Sequence, residues 1–177
     1  MDQNGRPDNL VGMIEASVAA YPDSPLFGTK NENGAYEWIS YRQVGDRIDH
    51  LRGGLARAGV GRGDWVGIIA RNRTEWAVAA FAAYGLGARF VPMYEKELPR
   101  IWRYIIQDSG IKLLLVASAD IQDQVEEFRD ALPGLKGIYR IDGEGQFTMA
   151  ELERIGREHP VPSVRPSPED IAVLIYT

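Results

Sequence analysis

The sequence predicts an α/β fold: a doubly wound, mostly parallel sheet with helices on both faces, preceded by an N-terminal β-hairpin. After the hairpin, short apolar runs such as IKLLLVA (111–117) alternate with helical patterns. Uninterrupted apolar strands of this kind are typical of parallel sheets that are covered on both faces. Asn33-Gly34 separates strand-like runs at 25–30 and 35–40, and we expect a tight hairpin because both turn positions tolerate positive φ.

Helices are predicted from end caps and from the spacing of apolar residues. Ser40 and Gln43 form a capping box, in which each side chain bonds to a backbone N–H at the start of the helix. The run EWAVAAFAAYGLG (75–87) is apolar almost all round, which indicates a buried helix. Asp120 is expected to cap a shorter helix. Helical patterns also cover residues 9–20, 44–58, 98–108 and 149–158.

The remaining apolar runs predict the strands and the order of the chain. A Pro-rich linker over 159–168 leads to IAVLIY (171–176), which we expect to form a buried strand. The length favours one domain, so residues 1–177 are taken as a single subdomain, with residues 1–8 disordered. Parallel strands are expected at 64–70, 88–93, 111–117 and 135–142.

Composition excludes several classes of function. The net charge is −5 with no block of Lys and Arg, which argues against a nucleic-acid partner. The chain has no Cys, which excludes disulfides and thiolate metal sites and fits a cytoplasmic location. No apolar run reaches the roughly 18 residues that indicate a transmembrane helix. Peripheral contact with a membrane stays open.

The chemically reactive residues form no complete catalytic motif. His50 and His159 are far apart in the chain, and each is expected on the surface. Glu95, Glu97 and Asp108 are interpreted as partners of a helix dipole or members of a solvated face, rather than as a carboxylate pair. The residues alone therefore predict an α/β domain without an assigned reaction.

The predicted sheet nevertheless indicates where a ligand would bind. Ligands of open parallel sheets bind at the carboxyl ends of the strands. Three parts of the chain are predicted to lie at such ends: the loop 70–75, the loop 92–99, and Thr177. We expect any chemistry of this domain to involve one of them.

Four stretches resemble the AMP-forming acyl-CoA synthetases, in the order and at the spacing of that family. NRTEWAVAAFAAYGLGARFVPMY (72–94) resembles the Asn-Arg-x-Glu-Trp helix start and the Gly-Ala-x-x-Val-Pro-x-Tyr strand of long-chain fatty acid ligases. Residues 39–68 and 103–118 are similar to the motifs before and after it, and EDIAVLIYT (169–177) looks like the strand before the signature loop. Where relatives often have Asp-Thr-Leu after the Tyr, this chain has Glu-Lys-Glu at 95–97.

The resemblance implies the N-terminal piece of the large domain of an adenylate-forming ligase. In that family a Ser/Gly/Thr-rich loop follows the last of these strands and wraps the ATP phosphates. Thr177 matches the first Thr of that loop, at the phosphate–magnesium site. The parent enzyme is expected to use ATP, Mg²⁺ and CoA to turn a fatty acid into its adenylate and then its thioester. The fragment alone is expected to contain no catalytic residue, to bind these ligands weakly and to be inactive.

Other hypotheses stay open. The resemblance extends to medium-chain and aryl ligases and to the adenylating loading domains of polyketide or peptide synthetases. A catalytically silent binding or scaffold module would keep the same fold. A flavodoxin-like domain would need to bind flavin or to have a phosphoacceptor Asp at a strand end, for which Asp142 is the candidate. If the strand at 171–176 lacks a neighbour, its exposed edge predicts a homodimer or aggregation.

Overall fold

The computed structural model describes residues 7–177, so most of the segment predicted to be disordered, 1–8, lies outside the described residues. A 3₁₀ turn at Arg129–Ala131 follows the fifth helix. The described α-helices, α1 to α6, are Leu10–Ala20, Tyr41–Arg57, Thr74–Gly85, Pro99–Ser109, Ala119–Glu126 and Met149–Glu158. The described β-strands, β1 to β6, are Pro25–Lys30, Tyr36–Ser40, Trp65–Ile69, Arg89–Met93, Ile111–Val116 and Gly137–Arg140.

Strands β3 to β6 form one parallel sheet in the order β4-β3-β5-β6. Ile68 and Ile69 of β3 are fully buried, and so are Leu114 and Leu115 of β5. Successive side chains of a strand point to opposite faces, so burial of both requires helices on both faces of the sheet. The predicted doubly wound α/β fold is confirmed.

Strands β1 and β2 form the predicted antiparallel hairpin, but its turn differs from the expected one. Gly34 has a positive φ of 78°, whereas Asn33 does not. The side chain of Asn31 closes the loop instead, because its Oδ1 accepts hydrogen bonds from the N–H groups of Asn33 and Ala35. An Asn side chain that binds nearby backbone in this way stabilises a turn without a second residue at positive φ.

Helices α2 and α6 touch through their backbones. A Cβ added to Gly156 would overlap the carbonyl oxygen of His50, and one added to Gly54 would overlap the carbonyl group of Leu152. Glycine inside a helix costs about 1 kcal/mol relative to alanine. The close approach of the two backbones explains why both helices carry it. The predicted capping box at Ser40 is present at the start of α2.

The predicted cap of α5 is wrong by two residues. Ser118 occupies the N-cap position, and its Oγ accepts a hydrogen bond from the N–H of Ile121 at 3.4 Å. Asp120 lies in the first turn instead, where its negative charge interacts favourably with the helix dipole. Serine and aspartate are both good N-caps, so residue type alone does not choose between neighbouring positions.

The terminal segment, residues 171–176, is not the buried strand that the sequence predicts. Only Val173 pairs with the sheet, in a single parallel bridge opposite Phe90 of β4. Ile171, Val173 and Ile175 are 57%, 38% and 64% exposed. The side chains between and after them, those of Ala172, Leu174 and Tyr176, are partly buried and pack against the core. The run therefore has the period of a strand, but one of its faces is left open among the described residues.

The Pro-rich segment before it is fastened to the helices by polar contacts. The buried guanidinium group of Arg52 donates a hydrogen bond to the carbonyl oxygen of Val161 at 2.7 Å. The N–H of Val164 donates to the carbonyl oxygen of Gly85 at 2.8 Å. These bonds hold the segment against α2 and the end of α3, and so fix where the terminal segment begins.

Candidate functional site

The carboxyl ends of the parallel strands bring separate loops to one edge of the sheet. The loop after β3 carries Arg71 and Arg73, and the loop after β4 carries Glu95. The carboxylate of Glu95 accepts a hydrogen bond from the backbone N–H of Arg71 at 3.2 Å. The loop after β6 brings Asp142 to the side chain of Arg73. The structure thus brings together the two loops, 70–75 and 92–99, that were predicted to lie at strand ends.

A series of ion pairs connects this edge to the helices behind it. Arg73 contacts Glu75 and Asp142, each at 2.7 Å. Glu75 also pairs with Arg47 at 3.2 Å, and Arg47 pairs with Glu153 at 3.0 Å. We call these five residues the ion-pair network. It joins α2, α3, α6 and the loop after β6, so it fixes the loop after β3 to three helices.

Burial and neighbouring charges act in opposite directions on the network. Burial raises the pKa of Glu75, but hydrogen bonds from Arg73 and from its own backbone, with the charges of Arg73 and Arg47, leave that pKa below its ordinary value. Burial lowers the pKa of Arg47, and the hydrogen bonds and charges of Glu153 and Glu75 more than offset this, so the pKa is raised. Both groups stay ionised at neutral pH, which suits a structural role rather than proton transfer.

A cleft of about 810 Å³ lies between β1 and the loop after β3. Its wall includes the basic residues Lys30, Arg71 and Arg73 and the acidic residue Glu75. Arg73 and Glu75 pair with each other, so Lys30 and Arg71 give the cleft a local positive charge that attracts anions. Sequence reasoning missed this cleft, because only the packing of the hairpin beside the sheet brings Lys30 close to the loop.

The third predicted part of the site, Thr177, is exposed. Immediately before it, the hydroxyl group of Tyr176 donates a hydrogen bond to Oδ2 of Asp108 at 2.7 Å. The ring of Tyr104 packs edge-on against Tyr176, with the ring centroids 6.2 Å apart. The sequence interpretation of Asp108 missed this contact. No local signal could have shown it, since 68 positions separate the two residues in the chain.

The described residues do not form a complete metal site. Among residues 7–177, no group of three or more His, Cys, Asp and Glu side chains is arranged to hold a metal ion. Thr177 offers one hydroxyl group, which does not fit Mg²⁺ by itself, because that ion is held through carboxylate and phosphate oxygens and keeps several waters. His50 is half-buried and His159 is exposed. No helix within the described part of the chain is long and apolar enough to span a bilayer.

Comparison with known proteins assigns this sheet and its loops to a family. The sequence profile described as "AMP-binding enzyme" matches residues 14–177. The chain belongs to the AMP-binding enzymes. Among curated relatives, long-chain-fatty-acid–CoA ligase 5 of Rattus norvegicus is 27% identical in an alignment of 187 residues that covers 95% of the chain. The predicted resemblance to AMP-forming acyl-CoA synthetases is confirmed, and the family that is shown for the chain is the AMP-binding enzymes.

Solved structures share the fold of the chain. An anthranilate CoA ligase in complex with anthranoyl-AMP superposes with a TM-score of 0.84 at 24% identity, covering 100% of this chain and 33% of that one. The A-PCP didomain of a carboxylic acid reductase from Segniliparus rugosus, in complex with AMP, gives a TM-score of 0.83 at 20% identity, covering 99% and 30%. At these identities the likeness shows the fold alone.

The chain is short beside its relatives. It spans 27% of the length of the rat ligase. The described residues contain the loops at the carboxyl edge, the ion-pair network and Thr177, and no group of three or more His, Cys, Asp and Glu side chains among them is arranged to hold a metal ion.

Proposed function

We propose that the chain is the N-terminal part of an ATP-dependent, AMP-forming fatty acid–CoA ligase. In the proposed reaction a carboxylate oxygen attacks the α-phosphorus of ATP, pyrophosphate leaves, and an acyl-adenylate forms. The thiol of CoA then loses its proton, its sulfur attacks the acyl carbon, and AMP leaves. The observation that carries the proposal is the family match over residues 14–177, joined to the similarity of nearly the whole chain to a long-chain-fatty-acid–CoA ligase.

Within this ligase the chain acts as a scaffold for the ATP site. The terminal segment runs parallel to β4, so it delivers Thr177 to the carboxyl edge of the sheet. Thr177 is proposed as the first residue of the loop that surrounds the ATP phosphates, where its hydroxyl would donate to a phosphate oxygen. Mg²⁺, when bound with ATP, neutralises phosphate charge, and its ligands must come from the nucleotide and from other residues. The isolated chain is therefore proposed to be inactive.

Two observations bear on the carboxylic acid that is activated. The rat relative is named a long-chain-fatty-acid–CoA ligase, which favours a long acyl chain. Two of the structural neighbours are an anthranilate CoA ligase and an A-PCP didomain of a carboxylic acid reductase. An aryl acid is therefore the second candidate for the activated carboxylate, and a carrier domain the second candidate for the acyl acceptor. CoA is the expected acceptor of the acyl group if the protein is a long-chain ligase. A carrier domain is the expected acceptor if it is a loading domain.

The proposal is tested by assaying the full-length protein beside the 177-residue chain. Each is incubated with ATP, Mg²⁺ and CoA and with palmitate, octanoate or anthranilate in turn. We expect the full-length protein to release AMP and form a CoA thioester, fastest with palmitate, and the 177-residue chain to release none. Preference for anthranilate would replace the long-chain assignment. A full-length protein without turnover on any acid would contradict the ligase proposal.

We propose a cytoplasmic location with peripheral contact to membranes. The absence of Cys fits a reducing compartment, and long acyl chains partition into bilayers. Fractionation of cells that express the full-length protein tests this location. The protein should remain in the high-speed supernatant or leave the membrane fraction in high salt, whereas release by detergent alone would contradict peripheral contact.

A further inference from the structure

The hydrogen-bond ladder between β4 and the terminal segment stops at Leu174. The N–H of Phe90 donates to the carbonyl oxygen of Ala172 at 2.9 Å, and the N–H of Leu174 donates to the carbonyl oxygen of Phe90 at 3.0 Å. Among residues 7–177, no other backbone hydrogen bond joins the segment to β4. The sheet therefore does not hold the main chain between Leu174 and Thr177.

Pro92 removes the next donor of the ladder. In a parallel pair, alternate residues of one strand turn their N–H and C=O groups toward the same neighbour. Phe90 faces the terminal segment, so Pro92 faces it too, and the next bond would run from residue 92 to the carbonyl oxygen of Leu174. Proline has no N–H and cannot donate it. The strand sequence thus removes one backbone bond just before the proposed ATP loop.

A side-chain contact lies where the backbone bonds stop. The hydroxyl group of Tyr176 donates to the carboxylate of Asp108, and the ring of Tyr176 meets Tyr104 nearly at right angles, at 85°. Asp108 and Tyr104 both belong to α4, the helix that follows β4. Burial and the Asp108 carboxylate raise the pKa of Tyr176 to about 12, so the hydroxyl keeps its proton throughout the physiological range.

We propose that Tyr176 and Asp108 are positioning residues that direct the main chain at Thr177 toward the ATP phosphates, in place of the backbone bond that Pro92 cannot make. This inference rests on the proposed function, in which Thr177 begins the phosphate loop. The contact acts on the nucleotide side of the site and touches no acyl group. Its loss therefore weakens the use of ATP and leaves the use of the carboxylic acid unchanged.

The first test compares kinetic constants of full-length variants. Tyr176→Phe keeps the ring and removes only the donor to Asp108. We expect its KM for ATP to rise on the order of fivefold, which is the change that the loss of one hydrogen bond produces. The KM values for palmitate and CoA should be unchanged. Tyr21→Phe is the matched control. Tyr21 is the C-cap residue of α1 and is 59% exposed, so the loss of its hydroxyl group should leave all three KM values unchanged. Equal rises in the KM values for ATP and palmitate in Tyr176→Phe would overturn the proposal.

The second test asks whether Asp108 and Pro92 act on Thr177 through the same contact as Tyr176. Asp108→Ala should raise the KM for ATP as much as Tyr176→Phe, and the double variant should be no worse than either single one. Pro92→Ala restores a backbone N–H opposite Leu174. Combined with Tyr176→Phe, it should return the KM for ATP toward the original value. Additive effects at Tyr176 and Asp108, or no recovery with Pro92→Ala, would overturn the proposal.

A third measurement separates this inference from the ligase proposal. Hydrogen exchange of the amides at residues 174–177 is followed in the full-length protein without nucleotide, before and after Tyr176→Phe. Faster exchange in the variant supports the positioning contact, even if the protein turns over no carboxylic acid and the ligase proposal fails. Unchanged exchange overturns the positioning contact, even if the protein proves to be a ligase.

Discussion

The contact of α2 with α6 is tightly packed, whereas the terminal segment 171–177 is held by few contacts. The two helices touch backbone to backbone at Gly156 and share the ion-pair network. The terminal segment is joined to β4 by two backbone hydrogen bonds and to α4 by one Tyr side chain, and its apolar residues are exposed on one face. The difference teaches that the helices of the chain form a tightly packed scaffold, whereas the segment proposed to lead to the ATP site is held by few contacts among the described residues.

Gly156→Ala should have the largest effect. The new methyl group would overlap the carbonyl oxygen of His50 and force α6 away from α2, at a cost of about 3 kcal/mol in the free energy of unfolding. Urea unfolding measures this cost. Gly134→Ala is the control, because no atom lies within 4 Å of the added Cβ, and we expect a change of less than about 0.5 kcal/mol. Similar costs at both positions would break the comparison.

Glu75→Gln should remove the centre of the ion-pair network and cost about 2 kcal/mol, since hydrogen bonds to charged partners are lost. The folded-state pKa of Glu75 is below its ordinary value of 4.5, so its contribution is complete above about pH 4.5. That contribution is lost as pH falls through the folded-state pKa. The free energy of unfolding, measured at a series of pH values from 7 to 3, should therefore fall less steeply at acid pH in the variant than in the original protein.

The control for this change is Glu158→Gln, at an exposed pair with Arg154. Exposed pairs contribute about 0.5 kcal/mol or less, so its unfolding curves should follow those of the original protein. If the free energy of unfolding falls equally steeply at acid pH with and without Glu75, the ion-pair network does not stabilise the folded chain.

The open face of the terminal segment should affect association more than stability. Ile175 is 64% exposed, and an unpaired apolar edge invites pairing with a second copy. Ultracentrifugation of the 177-residue chain should show dimers or larger species that Ile175→Lys reduces, with the free energy of unfolding changed by less than about 0.5 kcal/mol. A monomer at every concentration would contradict this prediction and would show that the segment is better covered than its exposure indicates.

Much of the fold could be predicted because its signals are local. The apolar runs of β3 and β5 and the capping box at Ser40 each lie within a few residues of chain. The terminal run has the same local signal as β5, yet it stays half-open. Burial of a strand depends on which elements cover it, and that information lies elsewhere in the chain.

The candidate site was predictable in place but not in detail. Topology alone puts the loops 70–75 and 92–99 at the carboxyl edge, as the structure confirms. The partners of Arg47 and the partner of Tyr176 come from positions far away in the chain, and charged residues are common enough that spacing does not select them. Asp108 is exposed, as its interpretation as part of a solvated face predicts, but its hydrogen bond with Tyr176 could not be read from the sequence.

The central claim is that these residues support an ATP site without forming one. Calorimetric titration of the 177-residue chain with ATP and Mg²⁺, beside the full-length protein under the same conditions, tests it most directly. The account predicts saturable binding by the full-length protein and none by the chain, with any Kd of the chain above about 1 mM. Saturable binding of ATP by the chain alone, with a Kd on the order of 10 μM, would contradict it.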